Sequence, residues 1–253
     1  MPEAKVGDIT IHYEIFGEGE PLVMINGAGA GMEWFRWLIP TYSREYRLIL
    51  FDNRGVGRTD KPDMPYTTAM MADDLAGLLD VIGIGSAHVR GISFGGMIAQ
   101  EFVLRHPEKV RSLILAVTYC GGTHSVTLPF AADTTHIRQL PPKEATEAFL
   151  RWFITEEFID QNPLIFGQLL AFAVEHPPDP FALAKHGEAI ANHDTYDRLP
   201  GIAVPTLIFG ADADRVIPVE NSKILASRIP NAELVILKNA GHMLIEAAHE
   251  VDR

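Results

Sequence analysis

Short apolar runs punctuate this chain and predict the strands of a sheet. The runs lie at residues 9–16, 21–25, 47–51, 87–90, 110–117, 204–210 and 232–237. The first run follows a Gly7-Asp8 turn, which predicts an opening hairpin. The run at 204–210 is rich in β-branched residues and ends at a glycine, a pattern typical of a buried parallel strand.

An amphipathic helix is predicted between the third and fourth of these runs. Its apolar residues recur at helical spacing and comprise Met71, Leu75, Leu78 and Ile82. The acidic residues among them are expected to face solvent, namely Asp73, Asp74 and Asp80. We interpret the stripe as core packing rather than as a cofactor site.

A different pattern extends from about residue 120 to residue 200, where no strand-like run occurs. Helices are predicted at 144–155, 163–176 and 181–192, separated by proline-containing breaks. Large apolar side chains are numerous in them: Phe149, Trp152, Phe153, Phe158, Phe166, Leu169 and Phe172. We expect most of these side chains to pack between the helices and a minority to line an apolar pocket.

A serine stands at the junction of a predicted strand and a predicted helix. Residues 91–95 read Gly-Ile-Ser-Phe-Gly, and Pro107 closes the helix that follows. This pattern arises by chance in some sequences, but the strand-turn-helix context makes it a nucleophile elbow with the hydroxyl of Ser93 exposed above the sheet. Gly91 and Gly95 suit it because side chains there would collide where strand and helix approach closely.

An acid and a histidine follow Ser93 in the chain order that the elbow requires. Asp212 and Asp214 come directly after the run at 204–210, and His242 lies a short loop beyond the run at 232–237. All three fall past the carboxyl ends of strands, where open α/β sheets place their ligands. The pattern alone leaves Asp212 and Asp214 as alternatives for the acid.

Together these landmarks resemble the α/β-hydrolase family over nearly the full length. The matching segments are 26–29, 52–57, 91–96, 214–218 and 241–243. The resemblance implies an α/β-hydrolase fold, with a mostly parallel central sheet flanked by helices. It implies a core formed by 1–119 and 201–253, and a helical cap at 120–200, inserted after the strand that follows the nucleophile helix.

The resemblance also assigns roles to residues. It favours Asp214 as the acid beside Ser93 and His242, because Asp214 lies four residues before Pro218. The backbone amides of Ala28 and Phe94 are expected to form the oxyanion hole. Family members usually carry His-Gly where this chain has Asn26-Gly27, so the hydrogen bonding of that loop is expected to differ.

The implied activity is hydrolysis of a carboxylic ester of a small to medium, largely apolar substrate, through an acyl-enzyme intermediate. The chain is similar to small carboxylesterases and to 3-oxoadipate enol-lactonases, and a carbon–carbon hydrolase of aromatic degradation is a further alternative. A hydrolase-fold ligand receptor with slow turnover is the alternative from another class. An enol-lactone would require a cation for its carboxylate, for which the candidates, each expected on the surface, are Arg138, Lys143, Arg151, Lys185 and Arg198.

Neither a cofactor nor a metal is expected. Met32 stands where a dinucleotide fingerprint needs its third glycine, and no histidine pair has metal-site spacing. The remaining histidines considered are expected to be surface or packing residues: His12, His106, His124, His136, His176, His186, His193 and His249. Cys120, the only cysteine, is expected to fill space near the end of a strand.

Composition restricts the partners and the cellular location that we expect for the protein. A net charge of −12 disfavours nucleic acid and anionic membranes as partners, so a small-molecule ester or lactone is the expected ligand. The single cysteine and the absence of a leader-like start predict a cytoplasmic enzyme, either a monomer or a homodimer. The family usually continues in a longer helix after Met243, so both a naturally short chain and a missing tail stay open.

Overall fold

A single sheet of eight strands organises the computed structural model, which describes residues 2–127 and 135–248. The strands are β1 (Glu3–Val6), β2 (Ile9–Phe16), β3 (Glu20–Ile25), β4 (Tyr46–Phe51), β5 (Ala87–Ile92), β6 (Val110–Ala116), β7 (Thr206–Ala211) and β8 (Ala232–Leu237). Their order across the sheet is β1-β2-β4-β3-β5-β6-β7-β8. The β1–β2 and β2–β4 pairs are antiparallel and the other five pairs are parallel. This is the predicted architecture, with the predicted opening hairpin.

The central strands are apolar on both faces because helices cover both sides of the sheet. Val23, Met24 and Ile25 of β3 are fully buried, as are Leu48 and Ile49 of β4. The carboxyl ends of the parallel strands therefore meet at one edge of a rigid sheet, which is where an open α/β fold places its ligands.

Eight α-helices accompany the sheet in the described residues. They are α1 (Ile39–Tyr42), α2 (Thr68–Val81), α3 (Phe94–Arg105), α4 (Pro142–Phe153), α5 (Glu156–Gln161), α6 (Pro163–Glu175), α7 (Pro180–Ala191) and α8 (Glu220–Arg228). Among the described residues, no helix is both long enough and apolar enough to cross a bilayer.

The predicted stripe of α2 faces the core, but the prediction for Asp74 was wrong. Met71, Leu75 and Leu78 are buried as expected. Asp74 is buried too, because its carboxylate accepts two hydrogen bonds from the Arg54 guanidinium, at 2.8 and 2.7 Å. A buried charge needs such a partner, and the helical pattern alone does not reveal one that lies 20 residues away. Asp73 and Asp80 do face solvent.

The helices α4 to α7 lie in the chain between β6 and β7, and residues 117–205 are called the inserted segment below. The three predicted helices are present, and the structure adds α5, a short helix that the sequence analysis missed. The segment has its own apolar cluster, in which Leu150, Ile154, Ile159, Phe166 and Leu169 are buried. Trp34, Met243 and Ile245 from the loops of the sheet pack against this cluster, so the inserted segment rests on the core.

The two ends of the inserted segment are tied together by backbone pairing. Gly121 and Asp194 form an antiparallel bridge. Beside it, the Thr195 amide donates to the Cys120 carbonyl at 2.8 Å and the Gly122 amide donates to the His193 carbonyl at 3.1 Å. Gly121 has a φ of 76°, and a Cβ there would overlap the His193 carbonyl. This closure is called the base of the inserted segment.

Candidate active site

Ser93 occupies a strained turn between β5 and α3. Its φ of 55° and ψ of −123° lie in a region that residues with side chains rarely adopt, and it is the residue that caps the amino end of α3. A Cβ on Gly91 would collide with the Gly95 carbonyl, and a Cβ on Gly95 would collide with the Ile25 carbonyl. The two glycines therefore allow the strand and helix to approach as closely as the sequence analysis expected.

Backbone and side-chain bonds hold this turn in place. The Ser93 amide donates to the Ala116 carbonyl at 2.9 Å, and the Thr118 hydroxyl donates to the Ser93 carbonyl at 2.7 Å. The strain at Ser93 is thus supported by the end of the neighbouring strand β6. Ser93 itself is only partly buried.

His242 lies between Ser93 and Asp214 and contacts both. Its Nε2 atom is 3.0 Å from Ser93 Oγ, and its Nδ1 atom is 2.7 Å from Asp214 Oδ2. In the tautomer that suits a carboxylate partner, Nδ1–H donates to Asp214 and Nε2 accepts from the serine hydroxyl. Loops after β5, β7 and β8 supply the three residues, and His242 and Asp214 are both buried.

The two aspartates after β7 have different contacts. Asp214 Oδ1 accepts hydrogen bonds from the amides of Val216 and Ile217, at 2.7 and 2.9 Å. Asp212 instead accepts from the Asn239 amide at 2.7 Å and lies 3.3 Å from Lys238. The structure therefore brings Asp214 to the histidine, whereas Asp212 joins two surface loops.

The loop after β3, residues 26–31, lies beside the serine and is called the oxyanion loop below. A Cβ built on Gly27 would be 3.5 Å from Ser93 Cβ. Asn26 organises the loop, since its Nδ2 donates to the Gly31 carbonyl and its Oδ1 accepts from the Gly27 amide, both at 2.8 Å. Asn26, which replaces the usual histidine, thus hydrogen-bonds both to the start of the loop at Gly27 and to its end at Gly31.

The amides of Ala28 and Phe94 are available for a ligand. Phe94 is the first residue of α3, so its N–H has no carbonyl partner inside the helix. In the described ranges, no hydrogen bond of the fold uses the amide of either residue. Two unused N–H donors close to a serine hydroxyl form an arrangement that is able to bind a negatively charged oxygen.

His186 on α7 is a site-associated residue that the sequence analysis classed with packing histidines. It is fully buried, its Nδ1 accepts from the Gly29 amide at 3.1 Å, and its Nε2 donates to the Arg54 carbonyl at 2.9 Å. Its ring centroid is also 4.8 Å from that of Phe94. Burial lowers the pKa of this imidazole, which favours the neutral form. These partners lie 157 and 132 residues away in the chain, so no local spacing signals them.

Several large apolar side chains of the inserted segment pack within it. Phe158, Phe166 and Leu169 belong to its apolar cluster. Phe172 packs edge-on against Trp34, with ring centroids 5.0 Å apart. Phe153 also belongs to the cluster, but its ring lies 5.4 Å from the His242 ring, and its carbonyl accepts from the Met243 amide at 3.0 Å.

The inserted segment also contacts the oxyanion loop through apolar side chains. A Cβ on Gly29 would be 2.6 Å from Leu183 Cδ2, and Leu183 is 43 % exposed. Leu183, together with Pro178, therefore lies beside the oxyanion loop, whereas Phe153 lies beside His242.

Three of the candidate cations for a substrate carboxylate are already paired. Arg151 binds Glu147 and Glu156. Lys185 is 2.8 Å from Asp63, and Arg198 is 2.5 Å from Glu101. Lys143 is exposed, and the side chain of Arg138 lies outside the described residues.

Other chemistry is not supported in the described part of the chain. There, no three His, Cys, Asp or Glu side chains come together as metal ligands. Cys120 is buried among apolar residues, and burial raises the pKa of its thiol, as expected of a space-filling cysteine. Among the other predicted packing histidines, His12 and His193 are buried, and His249 lies outside the described residues.

The sheet order and the elbow geometry define an α/β hydrolase. The chain belongs to this family, since the model of the alpha/beta hydrolase fold matches residues 20–248. It is similar to the carbamate hydrolase RutD, as that protein of Azorhizobium caulinodans is named, with 30 % identity over 96 % of this chain and 91 % of the relative. It is 27 % identical to the 2-hydroxy-6-oxo-6-phenylhexa-2,4-dienoate hydrolase of Comamonas testosteroni, over 96 % of this chain and 88 % of the relative.

A solved structure supports the same assignment. The crystal structure of the enol-lactonase from Burkholderia xenovorans LB400 superposes with a TM-score of 0.85 at 26 % identity. The match covers 99 % of this chain and 96 % of that one. The chain is therefore a hydrolase of the α/β-hydrolase type, and the predicted family and fold are confirmed.

Proposed function

We propose that this protein is a serine hydrolase that cleaves a carboxylic ester of a small to medium, largely apolar substrate. The observation that carries the proposal is the continuous hydrogen-bonded path from Ser93 Oγ through His242 to Asp214, at 3.0 and 2.7 Å. A serine hydroxyl is a weak nucleophile at neutral pH and needs an adjacent base. His242 is the only side chain in the described contacts that accepts from the Ser93 hydroxyl.

In the first half-reaction, Ser93 Oγ attacks the ester carbonyl and its proton passes to His242 Nε2. Asp214 then faces an imidazolium, which its carboxylate stabilises. The carbonyl oxygen becomes an oxyanion, toward which the amides of Ala28 and Phe94 would donate. Collapse of the tetrahedral intermediate breaks the ester C–O bond, and the leaving alkoxide takes the proton from His242.

Water completes the cycle in the second half-reaction. His242, again neutral, removes a proton from water, and the resulting hydroxide attacks the acyl-enzyme carbonyl. The same two amides stabilise the second tetrahedral intermediate. When the bond to Ser93 Oγ breaks, the proton returns to the serine and the carboxylic acid leaves. Side chains and backbone amides of the protein supply every catalytic group in this sequence, so the proposed mechanism requires no cofactor.

The neighbours of the site support an uncharged, apolar substrate. We propose that the inserted segment acts as a cap, with Phe153 beside His242 and Leu183 beside the oxyanion loop. Arg151, Lys185 and Arg198 are held by carboxylates, so binding a substrate anion through any of them would require breaking an existing ion pair. This favours a simple ester over an enol-lactone that carries a free carboxylate.

Carbamate hydrolysis is a second candidate. The observation that favours it is the 30 % identity with RutD over nearly the whole chain. A carbamate has an acyl carbon that the same serine can attack and the same amides can polarise. It differs from an ester in the nitrogen attached to the acyl carbon, which lowers the reactivity of the carbonyl.

The test combines covalent labelling with a substrate panel. The purified protein and Ser93→Ala are treated with a fluorophosphonate and analysed by intact mass and peptide mapping. They are also assayed with p-nitrophenyl esters of increasing chain length, a p-nitrophenyl carbamate, an enol-lactone and a vinylogous diketone. We expect labelling of Ser93, turnover of the esters, and loss of both in the variant.

Other outcomes separate the alternatives. Faster turnover of the carbamate, the enol-lactone or the diketone than of the esters would make that compound class the proposed substrate. The serine mechanism would be retained. Slow turnover with one tightly retained ligand would indicate a receptor. Undiminished hydrolysis by folded Ser93→Ala would refute the serine mechanism.

A further inference from the structure

His186 makes contacts with both backbone segments that carry the proposed oxyanion donors. Its Nδ1 accepts from the amide of Gly29, the residue after Ala28, at 3.1 Å. Its ring packs on Phe94, with centroids 4.8 Å apart and an interplanar angle of 33°. Although it belongs to the inserted segment, it thus lies against the oxyanion loop and the first residue of α3.

The opposite side of the ring is fixed to the core. His186 Nε2 donates to the Arg54 carbonyl at 2.9 Å. The Arg54 side chain is itself buried and held by Asp74 and Asp8 through four hydrogen bonds of 2.7 to 2.9 Å. The imidazole therefore joins a firmly anchored carbonyl to the oxyanion loop.

The two bonds together define one protonation state. Accepting from Gly29 requires a lone pair on Nδ1, and donating to Arg54 requires a hydrogen on Nε2. A protonated ring would direct Nδ1–H at the Gly29 N–H, and burial opposes that form. Gly29 has a φ of 69°, a conformation that glycine adopts without strain, so this flexible backbone is held here by the hydrogen bond from its amide to His186.

We propose that His186 is a positioning residue that holds the Ala28 amide in the orientation needed for oxyanion stabilisation. It touches no reacting atom and acts through Gly29, so the inserted segment contributes to transition-state stabilisation as well as to substrate access. This inference rests on the proposed serine-hydrolase function. Without the bond, the loop would sample orientations in which the Ala28 amide points away from the oxyanion.

Three substitutions test the hydrogen bond to Gly29 and the hydrogen bond to Arg54 independently. His186→Asn places an amide oxygen near the position of Nδ1 and can still accept from Gly29. His186→Gln places an amide nitrogen near the position of Nε2 and retains only the bond to Arg54. His186→Phe fills the volume with neither bond. The matched control is His193→Phe, because His193 is also a buried histidine of the inserted segment but bonds to the Thr68 hydroxyl at 3.0 Å.

We expect a selective loss of kcat on the best p-nitrophenyl ester. His186→Gln and His186→Phe should lower kcat roughly 10- to 100-fold with KM changed less than about threefold, because a displaced donor affects mainly the transition state. His186→Asn should restore kcat to within about fivefold of wild type. His193→Phe should lower the melting temperature without lowering kcat.

A second readout does not depend on turnover. Hydrogen–deuterium exchange of peptides covering residues 27–31 should accelerate in His186→Gln and His186→Phe, and should stay close to wild type in His186→Asn. If wild type neither hydrolyses an ester nor reacts with a fluorophosphonate, the proposed function fails, and the exchange data still report whether His186 holds the loop.

Three results would overturn the positioning role. These are unchanged kcat in folded His186→Phe, unchanged loop exchange in that variant, or an equal kcat loss in the Asn, Gln and Phe variants. The last result would assign His186 to packing alone.

Discussion

Asp214 is the aspartate that contacts His242, with its Oδ2 atom 2.7 Å from Nδ1, and its other oxygen accepts from two backbone amides. The carboxylate is therefore fixed on one side by the loop and orients the imidazole with the other. Asp212, two residues earlier, bonds to the Asn239 amide instead.

This difference predicts the effects of two matched substitutions. Asp214→Asn should lower kcat by about 10⁴-fold, because an amide at this position favours the wrong tautomer of the histidine. Asp212→Asn should lower it less than about tenfold, since its loop contact is remote from the reacting atoms. Steady-state kinetics on one ester will measure both. The reverse ranking would move the acid to Asp212.

The buried ion pair between Asp74 and Arg54 should be important for stability. Asp74→Ala leaves the Arg54 guanidinium largely buried with one partner fewer, so we expect a loss of about 3–5 kcal/mol in the free energy of unfolding. Its neighbour provides the control, since the Asp73 side chain is 45 % exposed in its ion pair with Arg105. Asp73→Ala should cost about 1 kcal/mol or less. Equal losses in urea unfolding would contradict this assignment.

We expect the free energy of unfolding to decrease as the pH falls, because His193 is buried in its neutral form. Burial lowers the pKa of this imidazole to about 4, from its ordinary value of 6.5. The unfolded chain therefore binds a proton between these values while the folded chain does not. The stabilisation is present above pH 6.5 and is lost as the pH falls toward 4.

Urea unfolding at pH 7 and pH 5 will measure this contribution. From pH 7 to pH 5, His193 should account for about 2 kcal/mol of the stability lost by wild type. His193→Gln cannot titrate and should lose less stability over the same interval by about that amount. The same pH dependence in both proteins would show that His193 is not the source.

Chain-length preference should depend on Leu183 and Phe153. Removing either side chain should shift the optimum toward longer or bulkier esters, by about 1–3 kcal/mol in relative specificity per methylene accommodated. Leu183→Ala is the cleaner variant, because Phe153 also belongs to the apolar cluster of the inserted segment. Leu164, 83 % exposed on α6, is the matched control, and Leu164→Ala should leave the profile unchanged. A wild-type profile in both site variants would place the acyl pocket elsewhere.

The features that could be predicted from the sequence are those that depend on residues close together in the chain. Strand β8 coincides with the apolar run at 232–237, and the elbow follows from the glycines that flank Ser93. The short helix α5 was missed because six residues carry too little periodicity. Asp74 and His186 depend on partners that only the folded chain brings near them. Their sequence neighbours contain no information about Arg54 or Gly29.

The base of the inserted segment has a consequence for how this enzyme can diversify. The chain leaves the sheet after Ala116 and re-enters it at Thr206, and within the inserted segment a backbone hydrogen bond of 2.8 Å joins Thr195 to Cys120. The intervening stretch behaves topologically as a side loop whose ends are already closed, so its length can change with little further entropic penalty. An exchange of the whole stretch between related enzymes could transfer a substrate preference as one unit. The incoming stretch would need to supply a hydrogen-bond acceptor opposite Gly29, because His186 leaves with the stretch that it replaces.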